Sequence, residues 1–115
     1  MPRAELRFDG AAATAEVRAA AARGLLMGAE HVLGISNDRT PIDEGALVRS
    51  GTASVDEALL KSAIAYDTPY APVQHERLDF RHAPGRRAKF LESALNDSRQ
   101  EVRDIVAAQL RRALE

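Results

Sequence analysis

The sequence predicts an α+β fold in which a long N-terminal helix and a long C-terminal helix pack on a small antiparallel β-sheet. Two segments rich in helix formers, 11–35 and 86–114, lie towards opposite ends of the 115-residue chain. Between them, residues 51–67 carry the alternation of apolar and polar side chains that is typical of strands. Strands grouped together in this way favour an antiparallel sheet. We expect a single domain spanning residues 1–115.

The first element is an arm or a short strand, followed by the first helix. Residues 1–10 contain Pro2 and the Asp9-Gly10 turn pair and lack helical periodicity, so we expect an N-terminal arm or a short strand there. From about Ala11 to Ile35 the chain is rich in alanine, and Thr14 stands at the position of an N-cap. This pattern predicts the long N-terminal helix.

Two glycines, Gly24 and Gly28, fall on one stripe of this predicted helix. Each costs about 1 kcal/mol relative to alanine in a helix interior, so both need an explanation. One explanation is close approach of another backbone, from the sheet or from a neighbouring subunit. The other is tight packing within the chain. Close approach of a neighbouring subunit would make this face an assembly contact.

The helix must end before Pro41, because proline disfavours helical geometry in the residue that precedes it. The polar residues Ser36-Asn37-Asp38 are the expected end. After the proline, residues 46–50 can form one helical turn, which Asp43 is placed to cap.

Two strands are predicted next, at Thr52–Val55 and Leu59–Tyr66. In the second, Leu60, Ser62, Ile64 and Tyr66 alternate with the other side chains. The connection at Asp56-Glu57-Ala58 lacks the Asn-Gly signature of the tightest hairpins but fits a hairpin turn.

The last third of the chain is predicted to hold a short helix, a loop and the long C-terminal helix. The short helix covers Tyr70–Glu76, with Pro72 in its first turn, and the loop covers Leu78–Gly85. Arg86–Leu114 is expected to form one long helix with an apolar stripe at Leu91, Leu95, Ser98, Val102, Ile105 and Gln109.

Four of the five aromatic residues lie close together in the sequence, at Tyr66, Tyr70, Phe80 and Phe90. They could anchor an interface. For Tyr66 and Phe90 we favour a place in the core between the sheet and the final helix.

Composition excludes several classes of protein. The 16 basic and 17 acidic residues give a formal net charge of -1, which argues against nonspecific nucleic-acid binding by the whole chain. There are no cysteines, so disulfides and thiolate zinc sites are excluded. No apolar run approaches the roughly 20 residues of a membrane span, and no membrane association is expected.

No motif in the sequence predicts an enzyme. His75-Glu76 resembles the start of a zinc-protease helix, but the residue four positions after His75 is Asp79 and not histidine. No serine stands in a Gly-x-Ser-x-Gly elbow. We therefore predict no catalytic residues, no metal site and no cofactor.

The largest local charge asymmetry is a basic cluster between the short helix and the final helix. It contains Arg77, Arg81, Arg86, Arg87 and Lys89, with His75 and His82 among them. The cluster could contact DNA phosphates or an acidic partner. Alternatively, it is a solvated loop and helix start. Arginines at a helix N-terminus are disfavoured by the helix dipole, which favours an interaction role.

Three sequence elements carry a resemblance to a known family. Thr40–Ser50 fits the pattern Thr-Pro-x-Asp-Thr-Gly-x-Leu-x-x-Ser, with Glu44 in place of the second threonine. Tyr70–Glu76 contains an aromatic-Ala element leading to His-Glu, and Gly85–Glu92 contains a glycine, a basic stretch and Lys-Phe-Leu-Glu. In this order the elements resemble those of bacteriophage minor capsid or head–tail joining proteins, the tail-completion or neck family.

The resemblance implies a structural role in the virion. It implies an α+β subunit of a homo-oligomeric ring at the head–tail interface, most often hexameric and otherwise dodecameric, made in the bacterial cytoplasm. The partners would be head-completion or adaptor proteins and tail-terminator or tail-tube proteins, with DNA passing through the lumen without sequence-specific binding. The expected interface residues are Thr40, Pro41, Asp43, Gly45, Leu47, Arg49, Tyr70, His75, Glu76, Arg81, Arg86 and Arg87.

Two other functions stay open on the sequence. A small nucleic-acid-binding regulator would use the basic segment Arg77–Lys89 and the final helix. A toxin-like nuclease would use Asp43, Glu44 and His75, but the sequence supplies no metal site to complete it.

Overall fold

The computed structural model describes residues 3–10, 13–40, 48–66 and 89–115, and these form the predicted α+β fold. Within these residues three strands and three helices follow in the order β1 (Arg3–Arg7), α1 (Ala15–Arg39), β2 (Gly51–Asp56), β3 (Lys61–Tyr66), α2 (Lys89–Asp97) and α3 (Arg99–Leu114). The expectations for the capped turn after Pro41, for Tyr70–Glu76 and for Leu78–Gly85 fall wholly or mostly outside them. Of the turn, residues 48–49 are described and are helical.

The described strands form one antiparallel sheet in the order β1-β3-β2, with β3 in the centre. Arg3–Arg7 pairs with β3, so the N-terminal segment predicted as an arm or a short strand contains a strand. Leu6 lies opposite Ser62, and Ser62 lies opposite Val55. Because residues paired across antiparallel strands share a face, these three side chains lie on the same face of the sheet.

The helix α1 begins as predicted and ends at Arg39, one residue past the predicted end at Ser36-Asn37-Asp38. The Thr14 Oγ1 accepts a hydrogen bond from the Val17 backbone N–H at 3.3 Å, as an N-cap does. The helix continues through the polar residues 36–38 to Arg39. The first two of these residues have partners in the sheet: Ser36 and Asn37 both form hydrogen bonds with Tyr66 of β3, which lets them stay helical.

The hairpin between β2 and β3 is one residue longer than the expected connection and turns through residues 57–60. Leu60 has a positive φ of 50°, a conformation that is uncommon for residues other than glycine. Burial of its side chain, which is 2% exposed, holds it there. The Leu60 carbonyl also accepts a hydrogen bond from the Phe8 N–H at 3.0 Å.

The prediction of one unbroken C-terminal helix was wrong. The helix is interrupted at Ser98, which has φ −111° and ψ 11° and separates α2 from α3. The Ser98 hydroxyl donates to the Ala94 carbonyl, four residues back. Such back-bonding competes with the helical ladder and bends helices. The apolar stripe survives the bend, since Leu91, Ser98, Val102 and Gln109 are buried.

Packing within the chain explains the two glycines of α1. A Cβ atom at Gly24 would lie 2.9 Å from the Val106 Cα, and one at Gly28 would lie 3.1 Å from the Val102 Cγ1. The face that carries the glycines is therefore covered by α3, which runs antiparallel to α1. Of the two explanations for these glycines, tight packing within the chain is confirmed, because the close approach is to the chain's own last helix.

The core lies between the sheet and the helices. Ile64, Tyr66, Phe90 and Val32 belong to its larger cluster, and the Tyr66 and Phe90 rings meet edge to face with centroids 5.4 Å apart. The core position favoured for these two aromatic residues is confirmed. Tyr70 and Phe80 lie outside the described residues.

Candidate functional site

Only two of the twelve expected interface residues, Thr40 and Arg49, lie within the described part of the chain. The other ten lie outside it: Pro41, Asp43, Gly45, Leu47, Tyr70, His75, Glu76, Arg81, Arg86 and Arg87. Their roles stay predictions.

Thr40 completes the C-terminus of α1. Its backbone N–H donates to the Asn37 carbonyl at 3.2 Å, and its hydroxyl donates to the Ser36 carbonyl at 2.9 Å. These bonds satisfy carbonyls that the helix end leaves without intrahelical partners. Thr40 is only 8% exposed, so its side chain serves the helix end within this subunit. Arg49, in contrast, is exposed.

A groove with a volume of about 410 Å³ lies between β1 and the two C-terminal helices. Its floor is apolar and comes from three parts of the chain: Leu6 and Phe8 at β1, Leu25 of α1, and Leu95, Val106 and Leu110 of α2 and α3. Leu6, Phe8, Val106 and Leu110 pack on the buried core and remain partly exposed. We call this surface the β1–α3 groove.

The rim of the β1–α3 groove is basic. It carries Arg7, Arg99 and Arg103, with Glu5 as its acidic member. Arg7 is paired with Glu5 at 3.4 Å, and Arg99 donates to the Asn96 side chain at 3.1 Å. Arg103 is exposed and makes no hydrogen bond or ion pair with another described residue. The groove therefore combines an apolar floor with a net positive edge.

Glu5 is held in its anionic form by its basic neighbours. It accepts hydrogen bonds from Arg3 at 3.2 Å and from Arg7 at 3.4 Å, and Lys61 lies 3.6 Å away. The hydrogen bond from Arg3, with smaller contributions from Lys61 and Arg7, lowers the pKa of Glu5 below its ordinary value. A carboxylate kept ionised in this way is a weak general base, so it suits charge pairing better than proton transfer.

A second polar group of side chains lies inside the subunit. The buried hydroxyls of Ser36 and Tyr66 are 2.7 Å apart, and Tyr66 donates to the Asn37 Oδ1 at 2.7 Å. Burial raises the pKa of the Tyr66 phenol, against the smaller lowering effects of Ser36 and Thr40. This arrangement joins α1 to β3, with Ser36 and Tyr66 buried and Asn37 partly exposed.

Metal ligands do not converge in the described ranges. No group of three or more histidine, aspartate or glutamate residues there could hold an ion. His31 does pair with Glu101 across α1 and α3, through its Nε2 and the Glu101 Oε2. Two side chains of this kind make an interhelical contact.

Sequence reasoning missed the β1–α3 groove. Leu6 and Phe8 alternate with Glu5 and Arg7, which is a period-2 signal for a half-buried strand. Arg99 and Arg103 are spaced by four residues and so share one side of a helix. These signals predict an amphipathic strand and an amphipathic helix, but they do not predict that the two lie side by side and form a groove.

None of the described helices combines the length and apolar character needed to cross a membrane. Comparison with protein-family models, with curated proteins and with solved structures gave no match to this chain.

Proposed function

We propose that this chain is a non-enzymatic structural subunit of a ring at a bacteriophage head–tail junction. The resemblance at Thr40–Ser50, Tyr70–Glu76 and Gly85–Glu92 carries the proposal. The fold supports it, because the resemblance implies a long first helix packed on a small antiparallel sheet, and the described residues have that architecture.

The described surface also suits assembly better than catalysis. The β1–α3 groove pairs an apolar floor with charged edges, as protein-binding surfaces do. Its carboxylate, Glu5, is engaged by arginine and lysine side chains. An alanine-rich core with few aromatic residues buries little area per residue, so contacts between subunits would add to its stability.

The proposal is tested by the mass of the full-length chain in solution. Native mass spectrometry over a series of rising concentrations, with negative-stain imaging, should show a discrete closed ring, a hexamer or a dodecamer. The same preparation should bind duplex DNA weakly and without sequence preference.

A chain that stays monomeric and binds duplex DNA tightly, with affinity falling steeply as salt rises, would overturn the proposal. That result would favour the nucleic-acid-binding regulator and assign the basic segment Arg77–Lys89 to phosphate contacts. Cleavage of nucleic acid by the monomer would overturn it as well.

A further inference from the structure

We infer that the β1–α3 groove binds the tip of the β2–β3 hairpin of a second copy of this chain. The inference deepens the proposed function by naming the contact between copies. It depends on two surfaces whose shape and charge are complementary, and both belong to this chain.

The hairpin tip presents an exposed leucine next to two carboxylates. Leu59 is 66% exposed, which makes it one of the few large apolar side chains that the described residues leave open to solvent. Asp56 and Glu57 are exposed beside it. Glu57 makes no hydrogen bond or ion pair with another described residue. The tip therefore offers one apolar side chain flanked by negative charge.

The tip is held rigid by hydrogen bonds on both sides of Leu59. The Leu59 N–H donates to the Asp56 Oδ1 at 3.0 Å, and the Ala58 carbonyl accepts from the Arg18 Nη2 at 2.8 Å. Phe8 fixes the Leu60 carbonyl through its backbone N–H. A preorganised loop loses less conformational entropy on binding, so the exposed leucine is presented in a fixed position.

The β1–α3 groove has the complementary character. Its half-buried floor, which includes Leu6 and Val106, can cover one apolar side chain, and the arginines on its rim face the solvent beside that floor. Arg103 has no partner among the described residues. Placing Leu59 on the floor brings the carboxylates of the tip to a basic rim, where opposite charges favour association and fix the register.

When each copy inserts its tip into the groove of the next copy in one direction, the contact is heterologous. Contacts of this kind close into a ring when the rotation between copies allows it. A hairpin tip in a groove buries less than the roughly 1,200–2,000 Å² of a standard stable interface. Each pairwise contact is therefore weak, and ring closure strengthens it because every copy then makes two contacts.

Charge reversal of the full-length chain tests the inference. Glu57→Arg and Arg103→Glu should each raise the dissociation constant for self-association about tenfold or more, and the double variant should recover most of that loss. Leu59→Ser should also weaken self-association, and neither charge reversal should restore the association of that variant. The measurement is sedimentation equilibrium over a concentration series, with thermal melts to confirm that each variant is folded.

Matched controls come from the same elements. Arg112 is also an exposed arginine of α3, but nine residues from Arg103 it points to the opposite side of the helix. Met27 is 44% exposed, and because it is two residues from Leu25 of the groove floor, the two side chains lie about 200° apart around α1. Arg112→Glu and Met27→Ser should leave the dissociation constant unchanged.

A disulfide test reads the contact directly, because the chain contains no cysteines. A mixture of Glu57→Cys and Arg103→Cys chains should form a crosslinked dimer under mild oxidation, with a yield well above that for Glu57→Cys with Arg112→Cys.

Equal crosslinking yields, or self-association that is insensitive to Glu57, Leu59 and Arg103, would overturn the inference. Rings that form despite these changes would overturn the contact and leave the proposed function standing. Crosslinking by a chain that forms no ring would support the contact and overturn the proposed function.

Discussion

The Tyr66 hydroxyl lies 2.7 Å from the Ser36 Oγ, and both side chains are fully buried between β3 and α1. Since Tyr66 donates to the Asn37 Oδ1, its oxygen is free to accept the Ser36 proton. This chain of hydrogen bonds fixes the end of α1 against the centre of the sheet. It also places a titratable group in a site where ionisation is disfavoured.

Removing the Tyr66 hydroxyl should destabilise the subunit. Tyr66→Phe leaves Ser36 without its partner in a buried site, and such a loss costs about 1–3 kcal/mol. Urea denaturation followed by circular dichroism measures the change in the free energy of unfolding. An unchanged midpoint would contradict the role given to this hydrogen bond.

The same phenol should make stability fall at alkaline pH. Burial raises the folded-state pKa of Tyr66 above its ordinary value of 10.0, so its contribution is fully present below pH 10 and is lost as pH rises through the folded-state pKa. In the Tyr66→Phe variant, the part of the alkaline decrease in the free energy of unfolding that comes from this phenol should be absent. Denaturation curves of both proteins between about pH 8 and pH 11 provide the comparison.

Two buried serines should respond to alanine in opposite directions. Ser36 and Ser62 are both fully buried, but the Ser62 Oγ has no hydrogen-bond partner among the described residues. Ser62→Ala removes an unpaired polar group and should raise the free energy of unfolding by about 1 kcal/mol, whereas Ser36→Ala breaks a buried bond and should lower it. Destabilisation by Ser62→Ala equal to that of Ser36→Ala would contradict the assignment.

The glycines of α1 give a second matched pair. A Cβ at Gly24 would lie 2.9 Å from the Val106 backbone, while one at Gly34 would meet nothing within 4 Å. Gly24→Ala should therefore destabilise by about 1–3 kcal/mol through overpacking, and Gly34→Ala should stabilise by about 1 kcal/mol through helix propensity. Thermal melting of the two variants checks both signs in one experiment.

Glu5 should make stability fall at acid pH. Its pKa is lowered in the folded state from an ordinary value of 4.5, so its contribution is present above that value and is lost as pH falls through the folded-state pKa. Glu5→Gln should be less stable than the native chain near neutral pH and should converge with it on acidification. Glu30→Gln, at an exposed glutamate with no ion pair to another described residue, is the control.

The local pattern of the chain determined the elements and most of their faces. Thr14 caps α1 as predicted, and Leu60, Ser62, Ile64 and Tyr66 form a buried set as their alternation predicts, although Ala63 is buried as well. Caps and periodicity depend on neighbouring residues alone. Ser98 was placed on the buried stripe, but its hydroxyl bond to Ala94 and the bend there were not expected. A serine bends a helix when its hydroxyl donates to the carbonyl four residues back, and packing decides whether it does.

Only the tertiary structure decided which parts of the chain pack against each face of the helices and strands. Gly24 and Gly28 signalled a close approach, but only the fold shows that its partner is Val106 and Val102 of the last helix. Likewise Leu6 and Arg103 are nearly a hundred residues apart in the chain and border one groove. Sequence fixes which side of an element is apolar because that is a local periodicity. The partner of that side is set by long-range packing, which no local pattern encodes.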